Sequence, residues 1–323
     1  MTNLLDRMSD HPYVKVKETL PGVFACNFTR QAFYKSKWDR HTTAARGLFL
    51  DKDGRVLARG FEKFFGIGER LGPTMDEFIN DAKYPVLVQP KHNGYLVIAS
   101  VVNGELTFFS KSGVTDYSRH AENFIKKDLS PETLTAIATV MRLANISLAI
   151  EFVDPNTDPH IELYEAPSAY ILNGIKNQER FELASQDVLG LIRHILMYDP
   201  NMYHNVYMVN YWDRPGLGVC ETPEDLRKAL EYSDTMEVEG VVVIDAEQKM
   251  TKYKTEWYKT VKSARNDLNK ALKGESSDRA QKIINALGKE GKTLQEFVTT
   301  SITGDPVLDL PSIAELVGIE AFK

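Results

Sequence analysis

The chain has 323 residues, 43% hydrophobic and 26% charged, with 39 Lys and Arg against 45 Asp and Glu, a formal charge of -6. This is globular composition, long enough for two domains or one large domain with an appendage. The balance excludes a protein that coats polyanions by bulk charge, so any polyanion site must be a local basic patch. Two cysteines, Cys26 and Cys220, are too few for a disulfide framework or a Cys-rich zinc site and fit a reducing cytosol. The N-terminal stretch lacks the apolar run of a signal peptide, and no run of about 18 apolar residues suggests a membrane span.

In chain order, residues 14–114 are rich in short β-branched and aromatic runs. LFLDKDGRVLARGF (48–61) predicts a hairpin turning at Asp53-Gly54, and YLVIASVVNGELTFFS (95–110) a second turning at Asn103-Gly104. SPETLTAIATVMRLA (130–144) predicts a helix with Ser130 as N-cap and Pro131 at its first position. ISLAIEFVD (146–154) and AYILNGI (169–175) read as strands. Residues 181–198 and 222–233 read as helices, the latter capped by Thr222-Pro223, and 239–255 as a strand pair. Beyond about 260 the segments SARNDLNKALKG, SDRAQKIINALGKEG and LPSIAELVGI are helical, with glycines at their ends. The expected division is 1–260 for an α+β, antiparallel-sheet domain and 261–323 for a small all-helical domain.

Lys91 stands just before a strand in Pro90-Lys91-His92-Asn93-Gly94, and alone would read as a solvated turn lysine. Downstream lie Phe109-Ser110-Lys111-Ser112-Gly113, the strand Leu148–Val153 with one acid at Glu151, and the strand Ala169–Leu172. Met236-Glu237-Val238-Glu239-Gly240 and Thr251-Lys252-Tyr253-Lys254 follow. Lys252 and Lys254, two apart on a strand, share a face. In content and order these segments resemble the five motifs of the covalent nucleotidyltransferases, the superfamily of polynucleotide ligases and mRNA capping enzymes, beginning with the Lys-x-Asp/Asn-Gly attachment motif, with Ala169–Leu172 resembling the strand that follows the third. Ala45-Arg46-Gly47-Leu48-Phe49 and Phe61-Glu62-Lys63-Phe64-Phe65-Gly66 resemble segments upstream of that lysine in ATP-dependent RNA ligases of the phage tRNA-repair (RNA ligase 1) type, related to fungal tRNA ligases. The resemblance spans about 30–262, and the roughly 60 residues that follow are too few and too poor in strand signal for the OB-fold of DNA ligases and capping enzymes.

The resemblance implies a nucleotidyltransferase (ATP-grasp-like ligase) fold and an ATP-dependent RNA ligase. Lys91 would be the nucleophile that accepts AMP, with Lys252, Lys254 and Glu239 as catalytic partners. Arg46, Lys63, Lys111, Glu151, Glu239, Lys252 and Lys254 would contact the nucleotide, and Glu151 and Glu239 would hold Mg2+ or Mn2+. Neighbouring cations are expected to favour the neutral, nucleophilic amine of Lys91. Phe65 or Tyr170 would stack on adenine. Asn93 stands where many ligases have Asp; fungal tRNA ligases also show Asn.

The implied substrate is RNA with 5′-phosphate and 3′-hydroxyl ends, nicked tRNA among the candidates, with an end-healing kinase-phosphatase as a candidate partner and the cytosol of a phage host or bacterium as the location. Residues 252–292 hold 11 basic against 5 acidic residues, and Lys35, Lys37 and Arg40 alternate with Phe33, Tyr34 and Trp38, a pattern suited to phosphates and stacked bases. The seven histidines show no metal-ligand spacing, His92 reads as a turn residue, and Cys220 has no catalytic context. Other readings are a DNA or generalist polynucleotide ligase, a guanylyltransferase, and a non-catalytic RNA-binding protein on the same fold.

Overall fold

The computed structural model describes residues 2–157, 159–209 and 216–323. Helix α1 (Leu4–Ser9) precedes strands β1 (Val14–Leu20) and β2 (Val23–Phe28). Two one-turn helices, α2 (Arg30–Tyr34) and α3 (Arg40–Ala44), lead into β3 (Arg46–Leu50) and β4 (Val56–Arg59). Next come α4 (Met75–Asp81), β5 (Val86–Pro90), β6 (Tyr95–Val102), β7 (Glu105–Ser110), α5 (Asp116–Asp128) and α6 (Pro131–Ala144). Strands β8 (Ile146–Val153) and β9 (Ser168–Lys176), helix α7 (Gln186–Met197), strands β10 (Val206–Met208) and β11 (Gly218–Cys220) and helix α8 (Pro223–Ser233) follow. The chain continues through β12 (Gly240–Ile244), β13 (Met250–Lys254), α9 (Glu256–Ala271), α10 (Asp278–Lys289), β14 (Val298–Thr300), β15 (Pro306–Leu308) and α11 (Leu310–Val317).

These elements form two compact units, each assembled from three stretches: 1–64, 95–152 and 168–209 in the first, 65–94, 153–167 and 210–323 in the second. The first unit holds an antiparallel sheet β1-β2-β3-β4 and a five-stranded sheet β10-β9-β8-β6-β7. The latter is antiparallel where β6 meets β7 and β8, but β10 runs parallel to β9. Both expected hairpins form. Asn103 and Gly104 adopt φ of 52° and 87°, the positive pair that a two-residue turn demands. Phe49 of β3 stacks on Phe109 of β7 at 4.3 Å, and both are 0% exposed. Burial of each contributes about 1.5–3 kcal/mol. Helices α5, α6 and α7 cover the five-stranded sheet through Ile125, Ile137, Met141, Leu189 and Ile192.

In the second unit β11-β5-β12-β13 is antiparallel, and α4 and α8 pack on it through Phe78, Ile79, Leu226 and Leu230. The segments from Tyr258 onward share a separate core with Ile161, around Val261, Leu268, Ile283, Leu310 and Phe322. This core starts close to the expected boundary at 260, although contact density groups those helices with residues 65–94 and 153–167. A helical domain over 261–323 therefore stays a proposal. The region is not all-helical: β14 and β15 pair as a short hairpin, three residues a side, too short to show alternation in the sequence.

Other differences are local. Helix α7 starts at Gln186 rather than 181, because Leu183 bridges Ile175 and the Ala184 N–H donates to the Gly174 carbonyl at 2.8 Å. Helix α5 goes unread in the sequence although Thr115 caps it, with Ala121 and Ile125 on its buried face.

Candidate active site

Sheet register brings one group of predicted residues together in the second unit. Pro90, the last residue of β5, pairs with Val241 of β12, and the Lys91 N–H donates to the Gly240 carbonyl at 2.9 Å. Gly240 pairs with Lys254 at the end of β13, and the Thr255 N–H donates to the Glu239 carbonyl at 3.1 Å. Lys91, Glu239 and Lys254 thus share one sheet end despite lying up to 163 positions apart in sequence. Gly240 makes this approach possible. Its φ is +140°, and a Cβ there would meet the Tyr253 carbonyl oxygen at 2.0 Å.

The centre of the group is Glu239, 2% exposed. Its Oε1 lies 3.0 Å from Lys91 Nζ and 3.4 Å from Lys254 Nζ, while Oε2 accepts from Asn93 Nδ2 at 2.7 Å. Burial works to raise the Glu239 carboxyl, but Lys91, Lys254 and these hydrogen bonds outweigh it and hold the group below the usual glutamate range. Asn93 uses both ends of its amide: Oδ1 accepts the Ile161 N–H at 2.7 Å and the Glu162 N–H at 3.2 Å. Its own N–H donates to Tyr164 Oη at 2.7 Å. An aspartate could accept from the same two amides but could not donate to Glu239. This is the physical case for asparagine here.

Lys252 is held by Glu69, whose Oε1 lies 3.1 Å from its Nζ. Glu69 follows the turn where the Ile67 N–H donates to the Lys252 carbonyl at 2.8 Å. Loss of hydration pushes Lys252 down, and Glu69 partly restores it. The pattern of the sequence missed Glu69, Glu162, Tyr164 and Tyr258. None lies in the quoted motifs, and their roles arise from long-range packing.

The remaining predicted residues, Phe65 apart, belong to the first unit. Arg46 opens β3, and its Nη1 donates to the Phe61 carbonyl at 3.2 Å. Loss of hydration pushes Arg46 down, opposed by the charge of Glu151 on β8. Lys111 follows β7; desolvation first, and then Arg46, push it down. Its Cα is the backbone atom that a Cβ on Gly47 would meet at 3.5 Å. Lys63 Nζ donates to the Phe64 carbonyl at 2.8 Å and lies 5.7 Å from the centre of the Trp38 ring. Trp38 packs edge-on against Phe28, whereas Phe33 and Tyr34 of α2 are 54% and 73% exposed. Tyr170 pairs with Tyr207, and the Phe65 carbonyl accepts from Thr251 Oγ1.

Of the two expected metal carboxylates, Glu151 lies on β8 in the first unit, and Glu239, with both oxygens engaged, lies in the second. Among the described residues the convergent group of potential ligands is His11, Asp39 and His41, which the absence of sequence spacing did not suggest. His11 Nδ1 accepts the Tyr13 N–H, so its proton sits on Nε2 and faces Asp39 Oδ2 at 2.9 Å. Asp39 Oδ1 caps α3. Hydrogen bonding thus accounts for His11 and Asp39, while the buried His41 Nε2 makes no hydrogen bond among the described residues.

With this geometry in hand, the similarities are specific. The family described as RNA ligase matches residues 44–263. RNA ligase 1 of Bacteriophage TS2126 is 31% identical over 132 residues, 39% of this chain and 33% of that protein. The tRNA ligase 1 of Schizosaccharomyces pombe is 28% identical over 160 residues, 44% of this chain and 20% of that protein. The matched stretch thus spans a third or less of either relative. A solved archaeal ATP-dependent RNA ligase superposes with a TM-score of 0.54 at 14% identity, covering 82% of this chain and 64% of that one, which establishes the shared nucleotidyltransferase fold. All of the motifs from Arg46 to Lys254 fall inside the matched span, and the chain belongs to the RNA ligase family.

Proposed function

We propose that this protein is an ATP-dependent RNA ligase that joins 5′-phosphate to 3′-hydroxyl ends in RNA repair, with Lys91 as its covalent nucleophile. The observation that carries the reading is the Lys91 ammonium, in a Lys-x-Asn-Gly turn, held 3.0 Å from a buried carboxylate that Lys254 shares. A phosphate monoester is a poor electrophile, and covalent catalysis divides the joining into easier displacements. Lys91 Nζ, once deprotonated, attacks the α-phosphorus of ATP; the P–N bond forms, the bond to the β-phosphate oxygen breaks, and pyrophosphate leaves. A 5′-phosphate oxygen of the RNA then displaces the lysine, and the RNA 3′-hydroxyl finally displaces AMP.

Lys254 and Lys252 are suited to neutralise charge that builds on the phosphates. Arg46, Lys63, Lys111 and Glu151 are proposed nucleotide contacts by their place in the motif order. Mg2+ suits this chemistry by shielding phosphate oxygens, and it enters as the partner of ATP; Glu239 and Glu151 are suited to accept from its bound waters. Phe33 and Tyr34, exposed beside Lys35, Lys37 and Arg40, are proposed to stack on single-stranded bases. Nicked tRNA as substrate, a kinase-phosphatase partner and a cytosolic location belong to the same proposal. The tRNA ligase relative supports the first, and the two free cysteines fit the last.

The test is direct. Incubation with Mg2+ and α-labelled ATP gives an alkali-stable, acid-labile and hydroxylamine-sensitive protein label, as a phosphoramidate requires, and Lys91→Ala abolishes it. Labelling of that variant would show a different nucleophile. A label from GTP alone would favour a guanylyltransferase, and joining of nicked DNA but not RNA a DNA ligase.

A further inference from the structure

Helix α9 brings a further group of side chains to the Glu239 network. Tyr258, in its first turn, is 3% exposed, and its hydroxyl is hydrogen-bonded with Glu239 and Asn93. Lys254 Nζ lies 5.1 Å from the centre of the Tyr258 ring. One turn later Lys262 Nζ donates to Tyr258 Oη at 3.2 Å. Positions 258, 262 and 265 follow the i, i+4, i+7 spacing of one helix face, so Arg265 continues the row.

Lys262 differs from its neighbours. Lys91 and Lys254 reach Glu239, Lys252 reaches Glu69, and Lys259 reaches Glu256. Among the described residues Lys262 has no carboxylate within ion-pair distance and only the neutral Tyr258 hydroxyl as a hydrogen-bond partner. Its residue is exposed, while its ammonium turns back toward Lys254, Arg265 and Lys91. Partial loss of hydration, then the charge of Lys254, push it down to about 8. Four cations thus act on one region in which the buried carboxylates are Glu239 and Glu162, whose Oε2 accepts the Glu239 N–H at 3.1 Å. That excess of positive charge suits a dianionic or polyanionic ligand.

We propose that Lys262, seated on Tyr258 beside Lys254, binds a phosphate oxygen of the substrate, supplied either by the outgoing pyrophosphate of ATP or by the 5′-phosphate of RNA. Substrate reaches it because the residue is exposed, and Tyr258 fixes its direction without neutralising it. The proposal rests on the reading of Lys91 as the adenylated nucleophile.

Single-turnover assays on the full chain separate the two sources. One arm measures labelling of the protein by α-labelled ATP with Mg2+. The other measures transfer from pre-labelled protein to single-stranded RNA bearing a 5′-phosphate. Lys262→Met is expected to lose roughly ten- to a hundredfold in one arm or both, the size of one contact to a charged group. Loss in the first arm assigns ATP as the source, and loss in the second assigns RNA. Lys262→Arg retains most of the rate, and Lys259→Met, on the same helix, leaves both arms unchanged. Inorganic pyrophosphate or a 5′-phosphorylated trinucleotide inhibits the native protein more strongly than Lys262→Met in the affected arm. Rates within twofold of the native protein in both arms, from a Lys262→Met or Lys262→Gln protein with a native melting profile, overturn the proposal. Failure of the native protein to label at all would instead remove the reading of Lys91.

Discussion

The candidate cations of the two units are held in opposite ways. In the second unit Lys91 and Lys254 share Glu239, and Lys252 has Glu69. In the first unit Arg46 and Lys63 donate to the backbone carbonyls of Phe61 and Phe64, and Lys111 stands near Arg46 rather than an acid. The difference teaches what a phosphate ligand would meet. In the second unit it must compete with carboxylates that already position the lysines. In the first it meets cations held by carbonyl dipoles, with Glu151 as the charge that offsets Arg46. The former arrangement favours fixed geometry, and the latter favours affinity.

The sharpest way to break this comparison is Glu239→Ala. It leaves two lysines and an amide donor facing a buried gap, at a cost of about 3–5 kcal/mol in urea unfolding. Labelling by ATP should fall by about a hundredfold or more. A loss below about 1 kcal/mol would mean that Glu239 does not organise the second unit. The native protein adds a pH signature. Glu239 is held below its ordinary value of 4.5, so its stabilisation is fully present above about pH 4.5 and is lost as pH falls through the lower, folded value.

Asn93→Asp reverses that signature. It replaces a donor 2.7 Å from Glu239 with a second carboxylate, so the pair shares a proton and one member titrates above the usual range. The expected deficit is about 1–3 kcal/mol at neutral pH, shrinking as pH falls through the raised value. Denaturation curves at pH 5 and pH 8 measure it. An equal deficit at both values would locate the fault in the Ile161 and Glu162 amides instead.

The smallest expected effect on stability is that of Lys111→Met in the first unit. Removing a like charge near Arg46 should leave the ligand-free unfolding free energy unchanged or raise it by about 0.5 kcal/mol at most, since Lys111 itself is exposed and solvent screens its charge. ATP half-saturation for labelling should rise about tenfold. A drop in ligand-free stability with unchanged half-saturation would show that Lys111 is structural and erase the contrast between the units.

Much of the fold was legible because its signals are local. Asp53-Gly54 and Asn103-Gly104 turn as their chemistry requires, and Ser130-Pro131 and Thr222-Pro223 open helices. The unread helix α5 carried its own signal in Thr115 and the spacing of Ala121 and Ile125. The start of α7 was not legible, since distant pairing with Gly174 and Ile175 takes residues 183–184 out of the helix. The three-residue strands β14 and β15 fall below the length at which alternation can be counted.

For the site, the sequence determined the identity and order of the charged residues from Arg46 to Lys254, because family motifs are contiguous words and survive without coordinates. Only the tertiary structure decided their partners. That Glu239 faces Lys91, Lys254 and Asn93, that Lys252 answers to Glu69, and that Tyr258 and Lys262 reach the same cluster all follow from strand register and helix packing. Contacts between residues more than 140 positions apart leave no periodic trace in one sequence, since their spacing is set by the folded backbone and not by the chain between them.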